Sequence, residues 1–255
     1  MSLGVVSSVE SLKPEQMNDD EENVKKYSRF DCKYGTTWLA FRDVPALFQK
    51  YVRGTNGIDY GCGAGRSTRF LNSMGMNPIG VDVSDKMITS AREVDRSFGF
   101  NNKFVKIESG VIPVEDMSCN FVFSSFVLLV ISSEDDMINV LKEMNRVLKE
   151  DGSVIISTGN ENMHDPKRRW VSYETDFREN RDTTSGALNK IRIKDVGAEF
   201  YDYNWLHKDY LRFFEKSGFV VSQCIKPLGK KEDNCMWRDE SDYSPYYIFV
   251  LKKRV

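Results

Sequence analysis

The chain has 255 residues, 40% of them hydrophobic, enough to bury a full core in one domain with an elaboration. Its 36 Lys and Arg stand against 38 Asp and Glu, a formal net charge of -2, so it lacks the overall positive field of a non-specific nucleic-acid binder and no nucleic-acid partner is expected. The five cysteines, Cys32, Cys62, Cys119, Cys224 and Cys235, form no CxxC pair and are odd in number, which argues against a disulfide framework or a metal site and fits a reducing cytoplasm.

Residues 1–23 are polar, with an acidic cluster at residues 19–22, and read as a flexible arm ahead of a domain over residues 24–255. From residue 57 an apolar strand and an amphipathic helix alternate, the pattern of a parallel sheet covered on both faces. "GIDY" (57–60) is the first strand and "RSTRFLNSMG" (66–75) its helix, closed by Gly75 as a glycine cap. "NPIGVDV" (77–83) is the second strand, followed by a helix over 84–99 with Ser84 as N-cap. "NKFVKIE" (102–108) and "NFVFSS" (120–125) are strands three and four, a long helix covers 133–152, and "SVIIST" (153–158) is strand five. The pattern then breaks over residues 159–205, where "KIRIKD" and "EFYDYNW" have the period of an antiparallel flap. A helix over 207–218 and strands over 219–225 and 246–253 close an α/β, doubly wound, mostly parallel sheet with an antiparallel C-terminal strand. The longest apolar run, residues 121–131, is too short to cross a bilayer, so no membrane partner is expected.

In such a sheet, ligands bind beyond the carboxyl ends of the strands, where the first turn presents free backbone N–H groups. Gly61, Gly63 and Gly65 occupy that turn. A dinucleotide fingerprint counted from Gly61 would need its third glycine where Arg66 stands, and no Gly-Lys-Ser/Thr follows to make a phosphate loop. Asp59 at the end of the first strand favours an ammonium over a pyrophosphate, and Asp82 at the end of the second suits ribose hydroxyls. The ligand therefore carries a ribose and a cationic or zwitterionic end.

These residues, "IDYGCGAG" followed by "IGVDVS", resemble the cofactor-binding half of the class I S-adenosylmethionine-dependent methyltransferases of small-molecule type, whose first motif is acid-x-G-x-G-x-G. The resemblance covers residues 27–158 and implies a Rossmann-like fold with S-adenosyl-L-methionine as cofactor. "KIESGVIPVEDMSCNFVFSSFVLLVI" is similar to the stretch that holds the adenine, so Glu108 would accept the adenine amino group and Ser109 or Gly110 would present an N–H to the ring. Tyr27, Val83 and Ser125 join the cofactor contacts by the same resemblance, as does Met87, which is equally a core candidate. Cys62 reads as small filler with a useful backbone N–H. The sequence departs from the family at Asn120, where an aspartate is common, and in the length of Glu108.

Sulfonium methyl transfer is a direct displacement, so the protein must hold donor and nucleophile about 3–3.5 Å apart and exclude water. A base is needed only when the acceptor keeps its proton, and His164, just past strand five, is the candidate. Residues 159–205 are expected to cap the acceptor, with Phe126, Trp170, Trp205 and Tyr210 as its contacts. No Asn/Asp-Pro-Pro-aromatic signature follows strand four, which favours O- or N-methylation of a small molecule. The alternatives are an RNA or protein methyltransferase, or a non-catalytic binder of S-adenosylmethionine.

Overall fold

The last strand, Tyr246–Lys253, explains the layering: Tyr247, Phe249 and Leu251 enter one hydrophobic cluster, Tyr246, Ile248 and Val250 another, and all are buried. A strand apolar on both sides needs cover on both. The structure, a computed structural model, describes residues 20–28 and 34–254 and supplies that cover with helices on each face of a seven-stranded sheet. The expected arm therefore lies outside the described residues except at 20–23, and Cys32 lies outside them too.

The strands of the sheet are, from one edge to the other, β3 (Lys103–Lys106), β2 (Asn77–Asp82), β1 (Asn56–Tyr60), β4 (Cys119–Ser125), β5 (Leu148–Gly159), β10 (Tyr246–Lys253) and β9 (Phe219–Ile225). The pairs from β3 to β5 are parallel, and β10 runs antiparallel to both of its neighbours. This is the doubly wound, mostly parallel sheet predicted from the sequence. Its strand order reverses between β1 and β4, and the carboxyl ends of those strands are where such a fold places its ligand.

One face is covered by α6 (Glu134–Val147) and α7 (His207–Lys216), whose Met137, Leu141, Met144 and Phe213 pack with Val122, Val154 and Ile156. The other is covered by α2 (Gly35–Arg42), α3 (Val44–Tyr51) and α4 (Arg66–Ser73), through Leu39, Phe41, Phe48 and Leu71 on Phe121, Phe123 and Ile155. Each such fully buried Leu or Phe contributes about 1.5–3 kcal/mol. α5 (Asp85–Ser97) adds a smaller cluster of Ile88, Ala91 and Phe104, and α1 (Glu21–Ser28) lies against it and the insertion. No helix among the described residues is long and apolar enough to cross a membrane.

Local chemistry fixes the element ends. Ser84 Oγ accepts from Met87 N at 3.0 Å and Ser133 Oγ from Asp136 N at 3.1 Å, capping α5 and α6. α6 stops at Val147 rather than running to residue 152, because the next residue, Leu148, is already extended (φ -76, ψ 135) and sends its side chain into the core. β5 thus starts earlier than the apolar run suggests, with a register shift where it meets β4.

The insertion after β5 forms a second sheet of three antiparallel strands, β6 (Tyr173–Glu174), β7 (Ala187–Ile193) and β8 (Ala198–Asn204). Its two faces differ, as the period of two requires. Glu174, Lys190, Arg192 and Glu199 form ion pairs on one face. Tyr173, Ile191, Ile193, Phe200 and Asp202 stand on the other, which roofs a cavity.

Candidate active site

The glycine loop joins β1 to α4 through backbone conformations closed to most side chains. Gly61, Gly63 and Gly65 have φ of +71°, +51° and +79°. Gly61 N and Cys62 N both donate to Val81 O, at 2.8 and 3.0 Å, which ties the loop to the end of β2. A Cβ on Gly61 would run into Val127 Cγ2, and one on Gly65 would come within 2.8 Å of Phe104 Cζ. Gly63 differs: its nearest neighbours would be Tyr27 Cε1 at 3.5 Å and Met87 Sδ at 3.9 Å, and all three residues line the cavity.

That cavity has a volume of about 660 Å³, within the range of sites that enclose small ligands. One part of its wall is the loop with Asp82, Val83, Met87 and Ser109. Asp82 Oδ2 accepts from Gly63 N at 2.8 Å and Oδ1 from Ser84 N at 2.9 Å, so the carboxylate is fixed at the strand end. Arg66 lines the same region, with Nη2 donating to Tyr27 OH at 2.7 Å and the guanidinium 4.9 Å from the Tyr27 ring. Ser125 and Phe126 follow at the end of β4. Phe126 has φ +60°, a strained conformation for a bulky residue, and its N donates to Ser157 O at 2.9 Å. Beyond it the wall is mostly apolar, with Leu129, Val130, Met163, Ile191, Ile193 and Phe200, and carries polar groups at Thr37, Ser132, Asp136, Tyr173 and Asp202.

Asp59 takes a different place from the one its position suggests. Alternation along β1 puts it opposite Tyr60, whose side chain reaches the cavity. The Asp59 carboxylate is fully buried outside the cavity lining, where Oδ2 accepts from Ser67 Oγ at 2.7 Å and Thr68 Oγ1 at 2.6 Å, and Oδ1 has no hydrogen-bond partner among the described residues. Burial pushes its pKa up to about 6, against the opposing pull of those two hydroxyls. It holds the first turn of α4 rather than facing a ligand ammonium.

Cys62 and Gly65 likewise stay behind the loop, and burial, with Asp59 and Asp82 nearby, raises the Cys62 thiol. Glu108 is exposed and does not line the cavity, whereas Ser109 does. The Gly110 N–H is already spent on Tyr60 OH at 3.1 Å.

The expected acceptor contacts divide. Phe126 lines the cavity; Trp170, Trp205 and Tyr210 do not, and are buried core. Trp170 Nε1 donates to Met163 O at 2.9 Å, Trp205 Nε1 to Ile131 O at 3.0 Å, and Tyr210 OH meets Thr158 Oγ1 at 3.1 Å. Large rings with one polar atom each find both packing and a partner in the core, Trp170 in the cluster under the cap and Trp205 and Tyr210 in the one on the opposite face of the sheet. His164 is also buried outside the lining, with Nε2 2.9 Å from Asp202 Oδ2, and it is Asp202 that forms part of the wall. Sequence reading missed Thr37, Tyr60 and Asp202, while Tyr173, one of the insertion aromatics expected in the cap, does line the cavity; the alternation of β7 and β8 was the signal for Asp202.

The residues fit S-adenosylmethionine: a glycine whose Cβ would take up cavity space stands beside a fixed carboxylate at the end of β2, where a ribose is expected. Comparison with known proteins agrees. Residues 58–156 match the family described as "Methyltransferase domain". The chain is similar to an uncharacterized protein of Methanocaldococcus jannaschii, 24% identical over 217 residues, covering 81% of this chain and 78% of that one. It is 29% identical over 174 residues to a demethylmenaquinone methyltransferase of Staphylococcus aureus, covering 66% of this chain and 69% of the relative. The fold is shared with an S-adenosylmethionine-dependent methyltransferase of Methanosarcina mazei at a TM-score of 0.62 and 18% identity, covering 82% and 97% of the two chains.

Proposed function

We propose that this chain, which belongs to the class I S-adenosylmethionine-dependent methyltransferases, moves the methyl group to an oxygen or nitrogen of a small-molecule acceptor bound under the cap sheet. The observation that carries this reading is the make-up of one cavity, with the glycine loop and Asp82 in one part of its wall and an apolar roof over another. The cofactor, when bound, supplies a methyl group made electrophilic by its sulfonium. Gly61, Gly63 and Asp82 would hold it, with Val83, Met87 and Ser109 beside them. Tyr173, Ile191, Ile193 and Phe200 shield the remaining space from water, which positions an acceptor and removes a competing nucleophile.

The demethylmenaquinone methyltransferase among the relatives acts on a small molecule, which favours the same class of acceptor here. A cytoplasmic setting goes with the reading, since Cys62, Cys119, Cys224 and Cys235 are free thiols. The test is to incubate the protein with methyl-labelled cofactor and a metabolite extract, then find the label by mass analysis. Label in a low-mass compound, formed together with S-adenosylhomocysteine, supports the proposal. Label on protein or RNA, or binding without any transfer, contradicts it.

A further inference from the structure

We propose that Asp202 receives the acceptor's hydrogen-bond donor and that His164 is its positioning residue, so that the acceptor is an apolar molecule bearing one hydroxyl or amino group. This rests on the reading that the cavity holds a small-molecule acceptor. The roof contributed by β7 and β8 is apolar at Ile191, Ile193 and Phe200 and carboxylate only at Asp202. Among the described residues the other carboxylates along the wall are Asp82, fixed at the glycine loop, and Asp136, in the first turn of α6 with Ser133 Oγ donating to it at 2.7 Å.

Asp202 is 3% exposed, and a buried carboxylate is costly unless several donors satisfy it. Among the described residues its carboxylate has one such partner, His164 Nε2 at 2.9 Å to Oδ2. An ionised carboxylate only accepts, so Nε2 carries the proton, and Oδ1 keeps its lone pairs for whatever enters the cavity.

His164 does not reach the cavity, yet it is held firmly behind the wall. Its turn is closed by Met163 N donating to Asn160 O at 3.0 Å and by Trp170 Nε1 donating to Met163 O at 2.9 Å. It acts through Asp202 by fixing the carboxylate plane. Around Asp202 the wall offers Met163, Ile191 and Phe200, which suit a hydrocarbon body. In the transfer step the nucleophile's proton goes to Asp202 Oδ1. The new O–C or N–C bond forms as the C–S bond breaks, and the electron pair of that bond stays on the sulfur of S-adenosylhomocysteine.

The experiment measures, by calorimetry, the binding of para-butylphenol, para-butylaniline and butylbenzene to the complex with S-adenosylhomocysteine. The phenol or the aniline is expected to bind roughly tenfold or more tighter than the hydrocarbon, as a hydrogen bond to a charged group implies. Asp202→Asn should abolish that preference while leaving the affinities for S-adenosylhomocysteine and butylbenzene unchanged. His164→Ala should weaken the preference, and His164→Gln, whose amide N–H replaces Nε2–H, should restore it.

A wild-type protein with no preference for the polar probes overturns the proposal, as does a preference that survives Asp202→Asn. Loss of S-adenosylhomocysteine binding in Asp202→Asn also overturns it, by making the residue structural. Failure of the wild-type protein to bind S-adenosylhomocysteine would instead bring down the underlying reading of the cavity.

Discussion

Two glycines two residues apart in one loop should respond to the same substitution in opposite ways. Alanine at either position must adopt a positive φ, +71° at Gly61 and +51° at Gly63, which costs about 1–2 kcal/mol. At position 61 the new methyl also collides with Val127 Cγ2, adding about 1–3 kcal/mol of overpacking. Gly61→Ala should therefore lose roughly 2–5 kcal/mol out of a typical total of about 5–15 kcal/mol. For a chain of this size that lowers the melting temperature by roughly 4–20 °C. At position 63 the methyl meets Tyr27 only at 3.5 Å and Met87 at 3.9 Å, so stability falls by the backbone term alone. There, however, the methyl occupies the wall where the cofactor approaches the backbone, and affinity for S-adenosylhomocysteine should fall by about tenfold or more, a loss of about 1.4 kcal/mol or greater. Thermal melting and calorimetry on both variants decide the matter. The reasoning is refuted if Gly63→Ala binds like wild type, or if Gly61→Ala melts no lower than Gly63→Ala.

Asp59, with a pKa of about 6 when folded against roughly 3.9 when unfolded, retains its proton in the folded state across that window, so stability should fall as pH rises from about 4 to about 6. The loss is on the order of 3 kcal/mol, and Asp59→Asn should flatten it; parallel denaturation curves for the two proteins across this pH range would show that the group titrates normally. Trp170→Ala and Trp205→Ala should each cost about 3–5 kcal/mol, measured by urea denaturation, because both rings are buried and bonded through Nε1. Variants that keep wild-type stability but turn over slowly would return these tryptophans to the acceptor pocket.

The sheet was legible because its strands carry two apolar faces and its turns carry glycines at fixed places. Ser84 marks a helix start by side-chain chemistry that needs no tertiary context. The antiparallel flap was legible in β7 and β8 for the same reason, a strict period of two. Side-chain direction was not. Asp59 sits one residue from Tyr60, and only the pairing of β1 with its neighbours decides which of them faces the cavity. The insertion is rich in aromatics, yet composition does not distinguish a ring that lines a cavity, such as Phe200, from one beneath the roof, such as Trp170. The pairing of His164 with Asp202 spans 38 residues, and nothing local announces it. Helices α2 and α3 were passed over because the stretch before residue 57 contains no motif, although Leu39, Phe41, Leu47 and Phe48 recur along it at positions that a helix buries together.

Calorimetric titration of S-adenosylhomocysteine and of NAD into the wild-type protein and Asp82→Ala tests the central claim most directly. The glycine loop with Asp82 predicts that wild type binds S-adenosylhomocysteine in preference to NAD. Asp82→Ala, remaining folded, should weaken that binding by about 1.5–3 kcal/mol. Tighter binding of NAD by the wild-type protein, or unchanged affinity for S-adenosylhomocysteine in a folded Asp82→Ala, would contradict it.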